Sequence, residues 1–341
     1  EGLAAGLTHY GYKKMAILSS RRGHYSLSKS VDILGLGREQ LITLDCPTQR
    51  LSPEKALAFG KQYAEQGNKI LSIVGVAGTT ETGHVDPLDE LADVAEELGC
   101  HFHVDAAWGG ATLFSNTHRN ILKGIQRADS VTIDAHKQMY VPMGAGMVLF
   151  KDPNDSNAVR HHANYILRAG SKDLGATTLE GSRNGMAMMV YSSLHIFGRQ
   201  GYELLIDQSI EKAKIFARMI QSHPDFELIT HPTLSLLTYR INPQEIQQQI
   251  KADPSLSPGF NKKLDKLTVY VQKQQREAGK SFVSRTRLQT EAYGEQTMTV
   301  FRVVLANPLT TEKDLQNILD EQMEIANKSE DWAELTKKSL P

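Results

Sequence analysis

The sequence has few cysteines, almost no net charge and no long apolar run. Its 341 residues include only 2 cysteines, Cys46 and Cys100, which lie far apart and therefore disfavour a disulfide framework or a cysteine-rich metal site. A formal net charge of −1 gives no electrostatic reason to expect nucleic acid or an anionic membrane as a partner. No apolar run approaches the roughly 20 residues that span a bilayer. These absences predict an ordinary globular protein of a reducing cytoplasm.

The common nucleotide-binding and metal-binding motifs are also missing. There is no Walker loop, and Gly35-Leu36-Gly37 lacks the third glycine and the helix start of a dinucleotide fingerprint. The adjacent pair His161-His162 and the alternating pair His101 and His103 do not have the spacing of two metal ligands on a helix. We therefore expect no metal, and a nicotinamide dehydrogenase would need the glycine motif that is absent.

Short apolar runs alternate with helical patterns over the first two hundred residues. Residues 87–98, for example, have apolar side chains at helical spacing between two such runs. This alternation predicts an α/β fold with a mostly parallel sheet and helices on both faces. Residues 144–150 follow the preceding run too closely for a helical crossover, which predicts an antiparallel strand. The other predicted strands are residues 15–18, 41–44, 70–74, 101–104 and 131–133.

The pattern changes near residue 201, and the rest of the chain predicts a smaller α+β unit. We therefore predict a large domain over residues 1–200 and a small C-terminal domain over residues 201–341. The predicted elements of the second unit are a long helix (204–221), strands (226–229 and 236–240), a polar loop or weak helix (242–259), a helix (264–277), strands (282–288 and 297–305) and a charged helix from Thr311.

Polar side chains follow several of the predicted strands. In open parallel sheets the ligand lies beyond the carboxyl ends of the strands, so these side chains are candidates for one site. Together they offer a base, carboxylates, a hydroxyl pair and a lysine. They are His24 after the first run, Thr79 and Thr80 after the third, Asp105 after the fourth, and Asp134, His136 and Lys137 after the fifth.

Asp105 and Lys137 indicate a specific chemistry when they are considered together. An acid at the end of a buried strand needs a cationic partner to stay ionised, and a protonated pyridine nitrogen is such a partner. A lysine in an enclosed pocket can form a Schiff base with a carbonyl group. Alone, Asp105 would more often be a helix cap and Lys137 a surface residue. Their order and spacing with the glycine-flanked hairpin at 142–146 favour a pyridoxal-phosphate site.

His24 is a further candidate because its flat ring could lie over a cofactor ring. A single loop histidine is more often structural or exposed. The segment 78–83, which contains Thr79 and Thr80, is by itself a turn-rich loop.

The motifs resemble one enzyme family. His-Val-Asp-Ala-Ala-Trp-Gly-Gly at 103–110, followed by Asp-Ala-His-Lys at 134–137, is similar to the glutamate-decarboxylase-like (group II) pyridoxal-phosphate decarboxylases. The similarity runs from about residue 10 to about residue 310 and includes 76–87 and 279–286. Residues 130–153 and 171–183 look most like the bacterial pyridoxal-dependent aspartate 1-decarboxylases. The resemblance implies the fold-type I transferase architecture and the cofactor pyridoxal 5′-phosphate.

The same resemblance implies a role for each candidate residue. Lys137 would be the Schiff-base lysine, and Asp105 would pair with the pyridine nitrogen. Arg302 would bind the α-carboxylate of the substrate, because a guanidinium can form two parallel hydrogen bonds to a carboxylate. The remaining implied roles are His24 stacked on one face of the ring, Ala107 packed on the other, Thr80 near the cofactor or substrate, His136 and Asp134 near the phosphate and ring, and Tyr165 on a mobile loop as proton donor at the neighbouring subunit's site.

The resemblance implies decarboxylation of an acidic L-amino acid within carboxylic-acid metabolism. L-Aspartate, giving β-alanine and CO2, is the first expectation, and L-glutamate, giving γ-aminobutyrate, is the second. L-2,4-Diaminobutyrate and aromatic amino acids follow. Because the electron-sink chemistry is shared, an aminotransferase or carbon–sulfur lyase would have the same Asp and Lys. A non-catalytic binding module is a further alternative.

One feature of the family is missing before the first predicted strand. The family has a Gly/Ser-rich turn that leads into a helix and binds the phosphate, as helix N-termini do. Residues 1–7 instead read as the middle of a helix, so we expect further sequence upstream that completes the cofactor site. The family also implies a homodimer with shared active sites.

Overall fold

The structure is a computed structural model that describes residues 2–46, 48–163, 170, 173–294 and 296–336. Tyr165 lies outside the described residues. The α-helices are α1 (Leu3–Tyr10), α2 (Ser26–Ile33), α3 (Pro53–Glu65), α4 (Leu88–Glu97), α5 (Met186–Ser222), α6 (Gln244–Ala252), α7 (Ser257–Ala278), α8 (Glu312–Asn327) and α9 (Glu330–Thr336). The strands are β1 (Met15–Ser20), β2 (Leu41–Leu44), β3 (Lys69–Val76), β4 (His101–Asp105), β5 (Ser130–Asp134), β6 (Gly146–Phe150), β7 (Phe226–Thr230), β8 (Leu236–Ile241), β9 (Ser284–Leu288) and β10 (Met298–Val304).

The first six strands form one sheet in the order β2-β1-β3-β4-β5-β6. The neighbouring strands from β2 through β5 are parallel, whereas β6 runs antiparallel to β5. The link between β5 and β6 is too short for a crossover helix, which is why the direction reverses. The strand prediction for this sheet is therefore confirmed, including its antiparallel member.

Helices α3 and α4 cover part of this sheet because each has an apolar stripe. Both helices pack against β3, and α4 also contacts β4. Leu88, Leu91 and Ala95 of α4 are buried at helical spacing in the first hydrophobic core. The helix predicted over residues 87–98 is confirmed.

The remaining strands form an antiparallel sheet in the order β7-β8-β10-β9. Helix α7 packs against β10 and also contacts α8. Helix α8 begins where a capping box places Thr311 as N-cap, with Asp314 bonded back to it. An antiparallel sheet with helices packed on it agrees with the α+β prediction for this half.

Two helix starts were predicted too late. Helix α5 begins at Met186 rather than 204, with a non-helical residue, Gly198 (φ 57°, ψ −176°), inside it. The first half was missed because apolar residues such as Met188 and Ile196 are exposed, so no single apolar stripe marks the helix. Helix α7 begins at Ser257 rather than 264, with a proline in its first turn.

Helix α5 connects two separate hydrophobic cores. Its residues Tyr202, Ile206 and Ile210 pack in the core of the parallel sheet. Phe216 and Ile220, further along, belong to the core around the antiparallel sheet. The domain boundary at residue 200 stays a prediction. Within the described ranges, no helix combines the length and apolarity needed to cross a membrane.

The segment after β4 depends on a glycine. The Gly109 N–H donates to the Ala77 carbonyl oxygen at 2.9 Å, so the backbone after Asp105 lies directly on the end of β3. A Cβ atom at Gly109 would lie 2.4 Å from that oxygen. Real Cβ atoms cannot approach so closely, so the segment needs glycine here.

We expect Gly109→Ala to lower the free energy of unfolding by about 2–3 kcal/mol, since overpacking against a backbone atom forces the segment to shift. Gly181→Ala is the matched control, because Gly181 is exposed outside the helices and strands, also lacks a positive φ, and nothing lies within 4 Å of its Cβ position. The control should change stability by less than about 0.5 kcal/mol in urea unfolding. Equal effects of the two variants would contradict the proposed steric role.

Candidate active site

A cavity of about 540 Å³ lies where β3, β4 and β5 end. Seven of the residues predicted from the sequence line it, although they come from distant parts of the chain. They are His24, Thr80, Asp105, Ala107, Asp134, Lys137 and Arg302. The other lining residues are Ser26, Leu27, Ser30, Val76, Gly78, His103, Trp108, Thr132 and Leu236.

Asp105 is the last residue of β4 and the register partner of Thr132 on β5. One carboxylate oxygen, Oδ1, accepts the Ala107 N–H at 3.1 Å. This bond fixes the carboxylate at the cavity wall while the side chain still lines the cavity. Asp105 is therefore positioned to pair with a cation inside the cavity.

Lys137 stands one turn after the end of β5. Its Nζ lies 3.0 Å from Asp134 Oδ2, and its backbone N–H donates to the Asp134 carbonyl oxygen. Both side chains are largely buried. This ion pair holds the Lys137 amine at the edge of the cavity, where it can meet a carbonyl group.

The turn that carries Lys137 is fixed to the second half of the chain. Gln138 Nε2 donates to Ser235 Oγ at 2.8 Å, and the Tyr140 hydroxyl donates to the Ala306 carbonyl oxygen at 2.6 Å. Tyr140 has φ 57°, a left-handed backbone conformation that non-glycine residues rarely adopt. Such strain persists only where the surrounding contacts enforce it, so the lysine turn is held in one geometry.

Arg302 reaches the cavity from β10 of the second sheet. Its Nε donates to the Thr80 carbonyl oxygen at 2.6 Å. Neither terminal guanidinium nitrogen has a hydrogen-bond acceptor among the described residues. Burial lowers the pKa of Arg302 and the nearby Glu81 carboxylate opposes this, but an arginine remains charged. The free fork is suited to binding a carboxylate through two parallel bonds.

His24 and Ala107 supply a ring and a methyl group to the cavity wall. The His24 Nδ1 atom lies 2.8 Å from Ser26 Oγ and accepts the Ser26 backbone N–H at 3.3 Å. Because an N–H needs a lone pair on its acceptor, Nδ1 is unprotonated and a neutral ring has its proton on Nε2. The ring orientation is thus fixed by Ser26.

His136 lies behind the lysine turn and is not among the residues that line the cavity. Its Nδ1 is 3.1 Å from the Ala145 carbonyl oxygen, and its Nε2 is 3.7 Å from Asp134 Oδ2. Since a carbonyl oxygen only accepts, the His136 Nδ1 atom must be protonated. His136 therefore supports Asp134 from outside the cavity, and a direct role at a phosphate group stays a prediction.

The side chains around the cavity fit pyridoxal phosphate. An amine for the aldehyde, a carboxylate for the ring nitrogen and small or apolar walls at Val76, Ala107 and Leu236 share one cavity of ligand size. Among the described residues, no cluster of three His, Cys, Asp or Glu side chains could hold a metal ion.

Comparison with known proteins identifies the family. The model of the pyridoxal-dependent decarboxylase conserved domain matches residues 7–242, which is more than half of the chain. The chain belongs to the pyridoxal-dependent decarboxylase family. The resemblance that we drew from the motifs is therefore confirmed, and so is the cofactor that it implied.

Individual relatives of the decarboxylase family agree with this assignment. The chain is 59% identical to aspartate 1-decarboxylase of Aliivibrio fischeri over 332 residues, 97% of this chain and 61% of that protein. It is 28% identical to cysteine sulfinic acid decarboxylase of Mus musculus over 90% of this chain and 62% of that protein. The chain thus spans about three-fifths of the length of these curated relatives.

Solved structures of decarboxylases have the same fold. The crystal structure of mouse CSAD in apo form superposes with a TM-score of 0.84 at 27% identity, covering 94% of this chain and 65% of that one. The glutamate decarboxylase domain from Vibrio parahaemolyticus superposes with a TM-score of 0.74 at 25% identity, covering 93% and 59%. The predicted fold class is confirmed.

The polar cavity residues that sequence analysis missed are Ser26, Ser30, His103 and Thr132. For His103 on β4 the order of residues along the strand could have shown its place. A signal was present, because residues 101, 103 and 105 alternate along β4 and strand side chains alternate between faces. The spacing of two residues between His103 and Asp105 places both side chains on the same face of β4.

His84 supports the Thr80 loop from behind. The His84 N–H donates to Thr79 Oγ1 at 3.0 Å, and the His84 carbonyl oxygen accepts the Gly78 and Thr79 N–H groups. Burial, together with the charges of Arg50 and Arg22, lowers the pKa of His84 to about 4. The ring is therefore neutral at pH 7, and its buried Nδ1 has no hydrogen-bond partner among the residues that the structure describes.

We expect His84 to make the fold less stable as the pH falls from 7 to 5. Its folded-state pKa of about 4 lies below the unfolded value of 6.5, so the unfolded chain takes up the proton first and stability is lost as the pH drops through 6.5. The loss is about 2 kcal/mol between pH 7 and pH 5. Urea unfolding at both pH values measures it.

The comparison is made with His84→Gln, in which this loss should disappear. Burial also raises the pKa of Asp86 to about 6, which acts in the opposite sense but is common to both proteins. His195→Gln, which removes an exposed histidine, is the control and should keep the wild-type pH dependence. An unchanged pH dependence in His84→Gln would contradict the assignment.

Proposed function

We propose that this protein is a pyridoxal-phosphate-dependent carboxy-lyase that converts L-aspartate to β-alanine and CO2. The observation that carries the proposal is the convergence of Lys137, Asp105 and the free Arg302 fork on one cavity. The choice of aspartate is supported by the 59% identity to the Aliivibrio fischeri enzyme, since the diaminobutyrate and cysteine sulfinic acid decarboxylases are only 27–28% identical.

Pyridoxal phosphate, when bound, supplies an electron sink for the bond that breaks. Lys137 would hold its aldehyde carbon, and Asp105 would keep its ring nitrogen protonated. His24 and Ala107 would bound the two faces of the ring. These roles assign a task to four of the seven predicted residues that line the cavity.

Arg302 would bind the α-carboxylate of the substrate. With Nε fixed on the Thr80 carbonyl oxygen, the two terminal nitrogens of Arg302 point in one defined direction. A bidentate bond to them would orient the carboxylate that leaves as CO2. Asp134 would orient the Lys137 amine through the 3.0 Å contact between Oδ2 and Nζ.

Loss of CO2 leaves a carbon that must gain a proton. Lys137 is one candidate donor, because its amine lines the cavity and has Asp134 as a proton partner. Tyr165, which lies outside the described residues, is the other, and its role rests on the similarity of its loop to the family. We propose Tyr165 as the donor, acting near the site of a second subunit.

The proposal extends to a cytoplasmic homodimer. In its support, α5 exposes several large apolar side chains, among them Tyr191, Leu194 and Phe197. Exposed apolar side chains at this density are typical of subunit contacts. L-Glutamate is the second candidate substrate, and L-2,4-diaminobutyrate and aromatic amino acids come after it.

We expect the full-length protein with pyridoxal phosphate to form β-alanine and CO2 from L-aspartate. Lys137→Ala should abolish both the lysine-dependent absorption band and the product. Arg302→Lys should raise KM about 100-fold, because a lysine cannot form the two parallel bonds. Arg285→Lys, on the neighbouring strand β9 and exposed, is the matched control and should leave KM unchanged.

The products distinguish the alternatives. Formation of γ-aminobutyrate from L-glutamate, with no β-alanine from aspartate, would keep the site and overturn the substrate. A lysine-dependent absorption band with no CO2 from either acid would instead indicate an aminotransferase or a lyase.

A further inference from the structure

The Arg302 fork is free although a carboxylate lies beside it. Arg302 Nε donates to the Thr80 carbonyl oxygen at 2.6 Å, so the guanidinium lies at the peptide bond that joins Thr80 to Glu81. The Glu81 side chain therefore starts next to the guanidinium. Within the part of the chain that the structure describes, Glu81 nevertheless makes its ion pair with Arg22 and none with Arg302.

Two side chains hold the Glu81 carboxylate in its present position. Arg22 Nη1 donates to Glu81 Oε2 at 2.8 Å, and Thr286 Oγ1 donates to Glu81 Oε1 at 3.3 Å. The side chains of Arg22 and Glu81 are 14% and 36% exposed, so salt screens this pair less than it screens a pair on the open surface. Both carboxylate oxygens thus have a donor outside the cavity.

Arg22 is itself fixed at two points. Its backbone N–H donates to Ser20 Oγ at 2.9 Å, at the last residue of β1. Its Nη2 donates to the Gln289 carbonyl oxygen at 3.1 Å, directly after β9. Because the side chain bridges the first sheet and the second, it provides a fixed positive charge for Glu81.

The Glu81 carboxylate is still within reach of the Arg302 fork. Its partner Thr286 lies on β9, two residues from Ser284, which is the register partner of Arg302 on β10. Thr286 and Arg302 are therefore diagonal neighbours on one face of the sheet, roughly 7–8 Å apart, a separation that long side chains can bridge. Burial lowers the pKa of Arg302 and the Glu81 charge opposes this shift, as expected for neighbouring charges.

The carboxylates that line the cavity are held by other groups. Asp105 accepts the Ala107 N–H at 3.1 Å, and Asp134 is paired with Lys137 at 3.0 Å. Glu81 is different, because its position depends on a side chain from another loop. It is the carboxylate that would move to the guanidinium if that side chain were lost.

We propose that Arg22 is a positioning residue that keeps the Glu81 carboxylate off the Arg302 fork and so leaves the fork free for the α-carboxylate of the substrate. Without Arg22, Glu81 would pair with Arg302 and compete with the substrate. This inference rests on the proposed function, because it takes the α-carboxylate as the ligand of Arg302.

The first test is structural and is made without substrate. Arg22→Gln removes the charge that holds Glu81 but keeps a polar side chain. A crystal structure of this variant of the full-length protein should show the Glu81 carboxylate within hydrogen-bond distance of the terminal Arg302 nitrogens. A Glu81 carboxylate that stays on Thr286, with the fork still free, would overturn the proposal.

The second test is kinetic and uses the full-length protein with pyridoxal phosphate. Arg22→Gln should raise KM for L-aspartate about tenfold, the result of a fork that is free in about one molecule in ten. The value of kcat should not change, because the substrate-bound complex is the same once Glu81 is displaced. Adding Glu81→Gln removes the competing charge, so the double variant should regain the wild-type KM. Glu81→Gln alone should not raise KM.

Arg21→Gln is the matched control. Arg21 precedes Arg22 in the chain and pairs with Asp45 at the same distance of 2.8 Å, but these two side chains are 62% and 64% exposed. The control removes one positive charge from the same loop without touching Glu81, and it should keep the wild-type KM. An equal rise of KM in Arg21→Gln would indicate a general effect of charge on an anionic substrate and would contradict the proposal.

The outcomes separate this proposal from the proposed function. A wild-type protein that forms no β-alanine would contradict the proposed function, whereas the crystal structure of Arg22→Gln would still decide where Glu81 goes. A double variant that stays as impaired as Arg22→Gln would show that the loss of Arg22 distorts its loop, and the proposal would then be wrong. A fall in kcat with KM unchanged would contradict it as well.

Discussion

The parallel register between β4 and β5 is the constraint on which the site depends. It pairs Asp105 with Thr132 and brings the end of β5, and with it Lys137, to the edge where Asp105 stands. A shift of one residue would turn Asp105 into the opposite face, where Phe102 and Val104 are buried. The apolar pattern of that opposite face therefore fixes the catalytic geometry, because burying an unpaired carboxylate would cost more than the sheet could offset.

Contacts between the two halves of the chain complete the site. Arg302 of the second sheet is bonded to the Thr80 carbonyl oxygen at the cavity wall, and the lysine turn is held in the same way by Ser235 and Ala306. These bonds join segments that are more than 90 residues apart in the sequence. The Arg302 guanidinium and the Lys137 amine are thereby held in fixed positions relative to each other, as a reaction that depends on orientation requires.

Sequence patterns predicted most strands and helices, the direction of β6 and the residues that gather at the ends of the parallel strands. The apolar runs marked the strands of the first sheet, and the short link after β5 predicted the antiparallel β6. The strand-end rule placed Asp105 and Lys137 in one cavity, and similarity to the family added Arg302. The first half of α5 was missed because its apolar residues face outward rather than into the core. The strain at Tyr140 was missed because long-range contacts, rather than its neighbours, impose it.

One face of β4 and β5 has polar side chains where a stable sheet would have apolar ones, and such a departure is a guide to function. Imidazoles and hydroxyls inside a sheet are tolerated only if each is bonded, and every member of the chain from His101 to Thr132 has a partner. Asp105 lies beyond the Thr132 end of this chain, accepts the Ala107 N–H and faces the cavity. Its carboxylate is therefore placed to pair with a cation in the cavity. The polar alternation that a stable sheet would avoid thus places a carboxylate at the edge where the proposed function needs one for a charged ring nitrogen.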